Sequence, residues 1–232
     1  QGLRAGDQIV NIDQLAASFD GAVLFKDLHL NLAKGDKVIV YAKDTRAISA
    51  FYNILMGTAQ ADEGTFSWGI TTSQAYLPVD HDAYFENAMS LVDWLRQYAK
   101  TEEEKEEVFL RGFLGKMLFS GEEALKQCNV LSGGEKVRCM LSKMMMERAN
   151  VLLLNEPTNH LDLESITAFN NSLNNFKGTL LCSTSDHAFS QSLGTRIVEL
   201  TPSGVIDRNM LFDEYMTDPK IKELRSKLTS GA

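Results

Sequence analysis

The sequence predicts an α/β domain built on a mainly parallel sheet, and three observations carry that expectation. Short continuous apolar runs, VIVY (Val38 to Tyr41), NVLLLN (Asn150 to Asn155) and TLLCS (Thr179 to Ser183), are bounded by turn or helix signals. Such runs suit strands buried on both faces, as parallel strands covered by helices are. Helical periodicity lies between them, and strand–helix alternation is the pattern of a parallel sheet. The 232 residues, 44% hydrophobic, supply apolar surface for one large domain, or for a core domain with a smaller insert.

Each element follows from local chemistry. From Ile9 to Leu32 apolar positions alternate around an Asp20-Gly21 turn, which predicts antiparallel strands near the N-terminus. After the first buried run, Ser49 to Met56 reads as a helix, with Gly57 at the place of a C-terminal glycine cap. Between Asn87 and Gln127, SLVDWLRQYAK and EEEKEEVFLRGFLGKMLF are helical patterns, read together as a small helical insert over approximately 87–130. The acidic run Glu102 to Glu107 reads as a solvated helix face, because blocks of like charge sit in water. Ile166 to Phe176 is the helix after the second buried run, closed by Lys177-Gly178.

Composition narrows the function classes. The formal charge of −8 argues against a domain that grips nucleic acid with its whole surface, while leaving room for a local basic patch. No apolar run approaches the ~18–20 residues of a membrane-spanning helix. QGLRAGDQIV has no apolar core of a secretory signal, and Gln1-Gly2 is set aside as a protease-site scar. Cys128, Cys139 and Cys182 have neither CxxC nor zinc spacing and read as reduced structural thiols of a cytosolic protein. The Met140, Met144, Met145 and Met146 cluster reads as helix packing.

Three segments carry chemistry. LSGGE (Leu131, Ser132, Gly133, Gly134, Glu135) opens the helical run KVRCMLSKMMMER. Two glycines at a helix N-terminus let backbone N–H groups face an anion, and Ser132 adds a hydroxyl. VLLLNEPTNHLD, Val151 to Asp162, brings Asn155 and Glu156 to the C-terminal end of a strand, where open α/β sheets bind ligands. GTLLCSTSDHAF…TRIVEL, Gly178 to Leu200, brings another strand end to the same edge.

Together these segments resemble the ATP-binding cassette proteins over nearly the whole chain, so residues 3–232 are expected to form one cassette with a phosphate-loop NTPase core. The wording EPTNHLD, the following ESI and the closing TRIVEL…GVID…DEY are most similar to the second cassette of the ABC-F group. That resemblance implies a cytoplasmic protein without membrane segments, with two tandem cassettes, mostly acting on the ribosome. It implies ATP and Mg²⁺ as cofactors and a second cassette as partner, in the same chain or a homo-oligomer, packed head to tail. Each ATP site then takes its phosphate loop, magnesium residues and catalytic glutamate from one cassette and its LSGG signature from the other.

The chain departs from the family in one place above all. The pattern G-x-x-G-x-G-K-[ST]-[ST] is replaced by Ala42, Lys43, Asp44, Thr45, Arg46, Ala47, Ile48, Ser49 and Ala50. The glycines that admit close approach of phosphate have become Ala42, Thr45 and Ala47, and the lysine is Ile48. Loss of one charge-assisted phosphate contact costs ~1.5–3 kcal/mol. Ser49 alone survives, at the family's magnesium-contacting position, and reads otherwise as a plain helix-start serine. Asn155 replaces the Walker B aspartate, Val79 the glutamine after YLP, and Ser185 the histidine before Asp186, with His187 displaced by two positions. Lys43 and Arg46 either restore positive charge to the loop or stand in solvent.

What persists is Phe19 at the adenine-stacking position, Glu156 as catalytic base, His160 and Asp162 at the cassette interface, and the complete LSGGE. Phe19 reads equally as a core or edge aromatic, and Glu156 as a remnant of ancestry. Three functional expectations follow. The cassette has an impaired site and donates LSGGE to a partner; or it is a slow ATPase using Glu156; or it is a non-catalytic interaction module, on the ribosome by resemblance.

Overall fold

The computed structural model describes residues 7–230, so Gln1-Gly2 and the outer limits of the 3–232 span lie outside the described residues. Along the chain come β1 (Gln8–Phe19), β2 (Ala22–Ala33), β3 (Lys37–Tyr41), α1 (Thr45–Leu55), β4 (Glu63–Trp68) and β5 (Gln74–Leu77). Helices α2 (Leu91–Arg96), α3 (Glu107–Lys116) and α4 (Gly133–Glu147) follow. Then come β6 (Val151–Asn155), α5 (Leu163–Asn174), β7 (Thr179–Ser183), α6 (His187–Leu193), β8 (Arg196–Thr201), β9 (Gly204–Arg208), α7 (Phe212–Thr217) and α8 (Pro219–Ser230).

Two compact units result. One comprises Gln1–Tyr76, Asn150–Glu156 and Lys177–Ala232. Its larger sheet runs β5-β6-β7-β3-β8-β9, with β6, β7, β3 and β8 parallel and β9 antiparallel to β8. The three predicted buried runs are β3, β6 and β7, and every residue of β6 and β7 is buried, which is why they read as unbroken apolar runs. A smaller antiparallel sheet, β2-β1-β4, carries the predicted Asp20-Gly21 turn; both residues have positive φ, 50° and 80°, matching the twist a two-residue hairpin needs. Val10, Leu15, Phe25, Leu28, Phe51, Leu153, Leu181 and Val198 belong to this unit's common core.

Helix α1 corrects the sequence expectation. It begins at Thr45, not Ser49, because Asp44 provides an N-cap and none of the loop's glycines remains to keep the segment extended. Its end is as expected: Gly57 has φ 78° and its N–H donates to the Ile54 carbonyl.

The second unit comprises Leu77–Ala149 and Pro157–Phe176. Its interior is built on Trp94, which stacks on Phe85 (centroids 4.9 Å apart) and donates its indole N–H to the Tyr84 carbonyl. Leu110, Leu114, Met140, Met144 and Met146 are also buried, as the reading of the methionines as packing requires. The acidic run is exposed as expected, but it is not a helix face: residues 102–105 form turns and α3 starts only at Glu107. Five carboxylates within six positions repel one another, and a turn separates them better than a helix would.

Candidate functional site

The first group of site residues surrounds the start of α1. Asp44 accepts the backbone N–H of Arg46 on Oδ1 at 3.1 Å. The Arg46 guanidinium closes over the same carboxylate, with Nε 3.0 Å from Oδ1 and Nη2 2.7 Å from Oδ2. The pair holds the Asp44 carboxyl below its ordinary range, chiefly through the Arg46 side-chain bond. The guanidinium also lies 5.3 Å from the centroid of the Phe19 ring, a cation–π contact. Phe19 is therefore an exposed edge aromatic with Arg46 against its ring, and Arg46 is solvent-exposed, as one reading of the loop expects, but paired with Asp44.

The residues between these exposed groups turn inward. Ala42, Ala47 and Ile48 are 5%, 1% and 3% exposed and belong to the hydrophobic core. Thr45 is exposed and Ala50 half-buried. Ser49 accepts a hydrogen bond from the Asn155 amide, Nδ2 to Oγ 3.1 Å. One helical turn along, Tyr52 is fully buried, and its hydroxyl has no partner among the described residues. Burial raises the Tyr76 phenol, against a hydrogen bond with Asn155 that lowers it. Ser49, Tyr76 and Asn155 thus form a closed polar group of neutral side chains.

At the end of β6 the backbone changes hand. Asn155 is in register with Ser183 of β7, and Glu156 follows with φ 54°, the left-handed region uncommon for a side-chain-bearing residue. That turn separates the two side chains: Asn155 reaches Ser49, whereas the Glu156 Oε2 accepts the Ser185 N–H at 3.0 Å and its hydroxyl at 3.3 Å. The Glu156 N–H donates to the Ser183 carbonyl at 2.7 Å. His187, expected on a strand end, is the first residue of α6 behind the Asp186 cap, with its ring against Phe212 at 5.1 Å. No group of three or more His, Cys, Asp or Glu side chains among the described residues could hold a metal ion.

The second group lies in the other unit. Ser132 caps α4: its hydroxyl accepts the Glu135 N–H at 3.2 Å, and Glu135 Oε1 accepts the Ser132 N–H at 3.1 Å. Lys126 holds the other oxygen of Glu135 at 2.8 Å. Burial pushes the Glu135 carboxyl up, but its bonds with Lys126 and Ser132 outweigh burial and leave it below its ordinary value. Leu131 is buried beneath the cap, while Ser132 and Gly133 are exposed and Gly134 half-buried.

His160 and Asp162 belong to this group. A Cβ on Gly134 would stand 2.5 Å from the His160 carbonyl oxygen, so only glycine permits that approach. A Cβ on Gly133 would meet the His160 ring at 3.4 Å. His160 itself has φ 65°. Asp162 caps α5 by accepting the Ser165 N–H at 2.8 Å, and hydrogen bonds from the Ser165 side chain first and its backbone second hold its carboxyl below the ordinary value. Val79, also in this unit, is 53% exposed. Sequence reasoning missed the roles of Asp44 and Tyr76 and the packing of His160 on the glycines. An aspartate just ahead of a run able to form helix was the available signal for the first.

A family profile described as ABC transporter matches residues 25–159. The uncharacterized ABC transporter ATP-binding protein YkpA of Bacillus subtilis is 47% identical over 96% of this chain and 41% of its own length. The probable ATP-binding protein YbiT of Escherichia coli O157:H7 is 37% identical over 92% of this chain and 40% of its own. The energy-dependent translational throttle protein EttA of Escherichia coli is 29% identical over 89% of this chain and 37% of its own. This chain thus spans about two fifths of the length of these relatives. A solved nucleotide-free ATP-binding cassette from an ABC transporter superposes with a TM-score of 0.74 over 94% of this chain and 98% of that one, at 14% identity. A bacterial Atm1-family ABC exporter with ATP bound superposes with a TM-score of 0.78 over 97% of this chain and 43% of that one, at 13% identity. At such identities the superpositions show the fold, and no helix among the described residues is long and apolar enough to cross a membrane. On the profile match, over more than half its length, the chain belongs to the ABC transporter family, as an ATP-binding cassette domain.

Proposed function

We propose that residues 3–232 form one ABC-F-like cassette whose own nucleotide site is impaired and which acts by presenting Leu131 to Glu135 to the ATP site of a partner cassette. One observation carries the reading. The start of α1 is filled by the chain's own side chains, whereas the start of α4 keeps the Gly133 and Gly134 amides without a partner among the described residues.

Magnesium–ATP, held as the family holds it, does not fit residues 42–50. A nucleotide β- or γ-phosphate there would face the Asp44 carboxylate across the same helix start, a like-charge contact. Ile48, at the lysine position by resemblance, supplies no charge and is committed to the core. Ser49 and Asn155 satisfy each other without a metal, and the exposed Val79 side chain offers neither donor nor acceptor. Ser185 is engaged by Glu156. No catalytic step is assigned to this chain's own loop.

The partner is a second cassette, in the same longer chain or another copy, and ATP with Mg²⁺ belongs to the partner's loop. A cytoplasmic, ribosome-linked setting is supported by the 29% identity to a protein named as a translational throttle. The slow-ATPase reading keeps one supporting observation, the hydrogen-bonded carboxylate of Glu156 at the strand end.

The test has two arms. Calorimetric titration of the chain with ATP and Mg²⁺ is expected to give no saturation in the micromolar range; saturation there would restore Glu156 as a catalytic candidate. In an assembly with an ATP-competent cassette, Ser132→Arg is expected to abolish turnover. Unaltered turnover would rule out donation of the signature.

A further inference from the structure

Within the first unit, an open cavity of about 490 Å³ is lined by Lys43, Lys222, Arg225, Ser226, Thr229 and Ser230. Three of these residues are cationic, three bear hydroxyls, and no carboxylate lines the cavity. Lys222, Ser226 and Thr229 stand at i, i+4 and i+7 of α8, so a single stripe of that helix faces it. Lys43 faces it from the loop after β3, ahead of the Asp44 cap.

The charges divide cleanly. Arg225 is spent: its Nε donates to both Glu199 oxygens, at 3.0 and 2.8 Å, and its guanidinium lies 5.7 Å from the centroids of the Tyr41 and Tyr215 rings. That buried pair fixes α8 and hence the position of the cationic stripe. Lys43 and Lys222 have no ion pair among the described residues. The nearby acids are engaged elsewhere: Asp44 by Arg46, Asp218 by the Lys220 N–H, and Glu223 by Lys227. The Thr229 and Ser230 hydroxyls donate back to helix carbonyls, which leaves Ser226 as the hydroxyl free to donate outward.

We propose that this cavity binds phosphate, with Lys43 and Lys222 as its two cationic walls and the Ser226 hydroxyl as a donor. Two ammonium groups without an ion pair, lining one cavity from the loop after β3 and from α8, suit a multiply charged anion, since each lysine acts as a point charge that needs no fixed approach angle. The cavity exceeds what one phosphate group occupies, so a polyphosphate or a phosphodiester backbone is accommodated. In a chain of net charge −8, such a local patch binds anions in an otherwise repelling surface. The inference is independent of signature donation, because none of its residues belongs to the LSGGE segment.

Isotope-labelled full chain is titrated at low salt with tripolyphosphate and, separately, with a short single-stranded oligouridylate, while amide resonances are followed. Saturable shifts at Lys43 and along residues 222–230 are expected, weakening as salt is raised. Lys43→Gln and Lys222→Gln should each weaken binding roughly five- to tenfold, and Lys26→Gln, on β2, should leave it unchanged. Binding of tripolyphosphate alone identifies a small polyphosphate as the source; binding of the oligonucleotide identifies a polynucleotide backbone. Shifts confined to residues 44–50, glutamine variants that bind as tightly as the parent chain, or no shift with either anion would overturn the proposal.

Discussion

The starts of α1 and α4 are both helix N-termini capped by side chains, yet they are left in opposite chemical states. At α1 the cap is an aspartate that takes the Arg46 N–H and guanidinium, and the guanidinium in turn covers Phe19. At α4 a serine and a glutamate satisfy each other's N–H groups, and the glycine amides between them have no partner among the described residues. The comparison teaches that a helix dipole alone does not make an anion site. The cap decides whether the terminus is used up by its own chain or left for another molecule.

The largest effect expected of breaking this contrast comes from Ile48→Lys. An ammonium forced into a position 3% exposed should cost about 2–4 kcal/mol, read as a lower urea midpoint, without any gain in ATP affinity. A variant as stable as the parent that bound ATP would show that the loop opens readily, and the contrast would collapse. Next comes Gly134→Ala, about 2 kcal/mol, because its Cβ would meet a backbone oxygen at 2.5 Å. Gly133→Ala meets a movable ring at 3.4 Å and should cost less than half as much; equal losses would mean that the His160 carbonyl does not hold the signature in place.

Asp44→Ala should cost roughly 1 kcal/mol as a lost cap and speed amide exchange at residues 45–47. Unchanged exchange would show that Asp44 does not close α1. The smallest effect concerns pH. The Glu135 carboxyl is held below its ordinary value of 4.5, so the folded state binds its proton less readily than the unfolded chain. Its contribution is present above about pH 4.5 and is lost as the pH falls through the folded value. Glu135→Gln should therefore flatten the acid limb of the stability curve by less than about 1 kcal/mol, since Lys126 is largely in solvent. An unchanged limb would mean that the cap does not depend on that charge.

The sheet was legible because β3, β6 and β7 are buried on both faces and therefore cannot avoid apolar sequence. The signature segment was legible because two glycines and a serine opening a helical run are local signals. The closed state of α1 was not. Motif positions say which groups are missing from residues 42–50, but not that Ile48 turns into the core or that Arg46 folds over Phe19, since both depend on contacts with residues distant in sequence. Asn155 and Glu156 were expected side by side, and the positive φ at Glu156 that separates them has no marker when the residue is not glycine. His187 was misplaced for a simpler reason: β7 ends at Ser183, and the Asp186 cap starts a helix at His187.

The contact between Gly134 and His160 has a mechanical meaning. The carbonyl of one segment fills the space that a side chain would occupy on the other, and two residues later Asp162 caps α5. The signature turn and the segment that leads into α5 thus abut backbone to backbone, with no side chain between them to yield. A shift of the His160 carbonyl toward α4 has to be taken up by Gly134 itself.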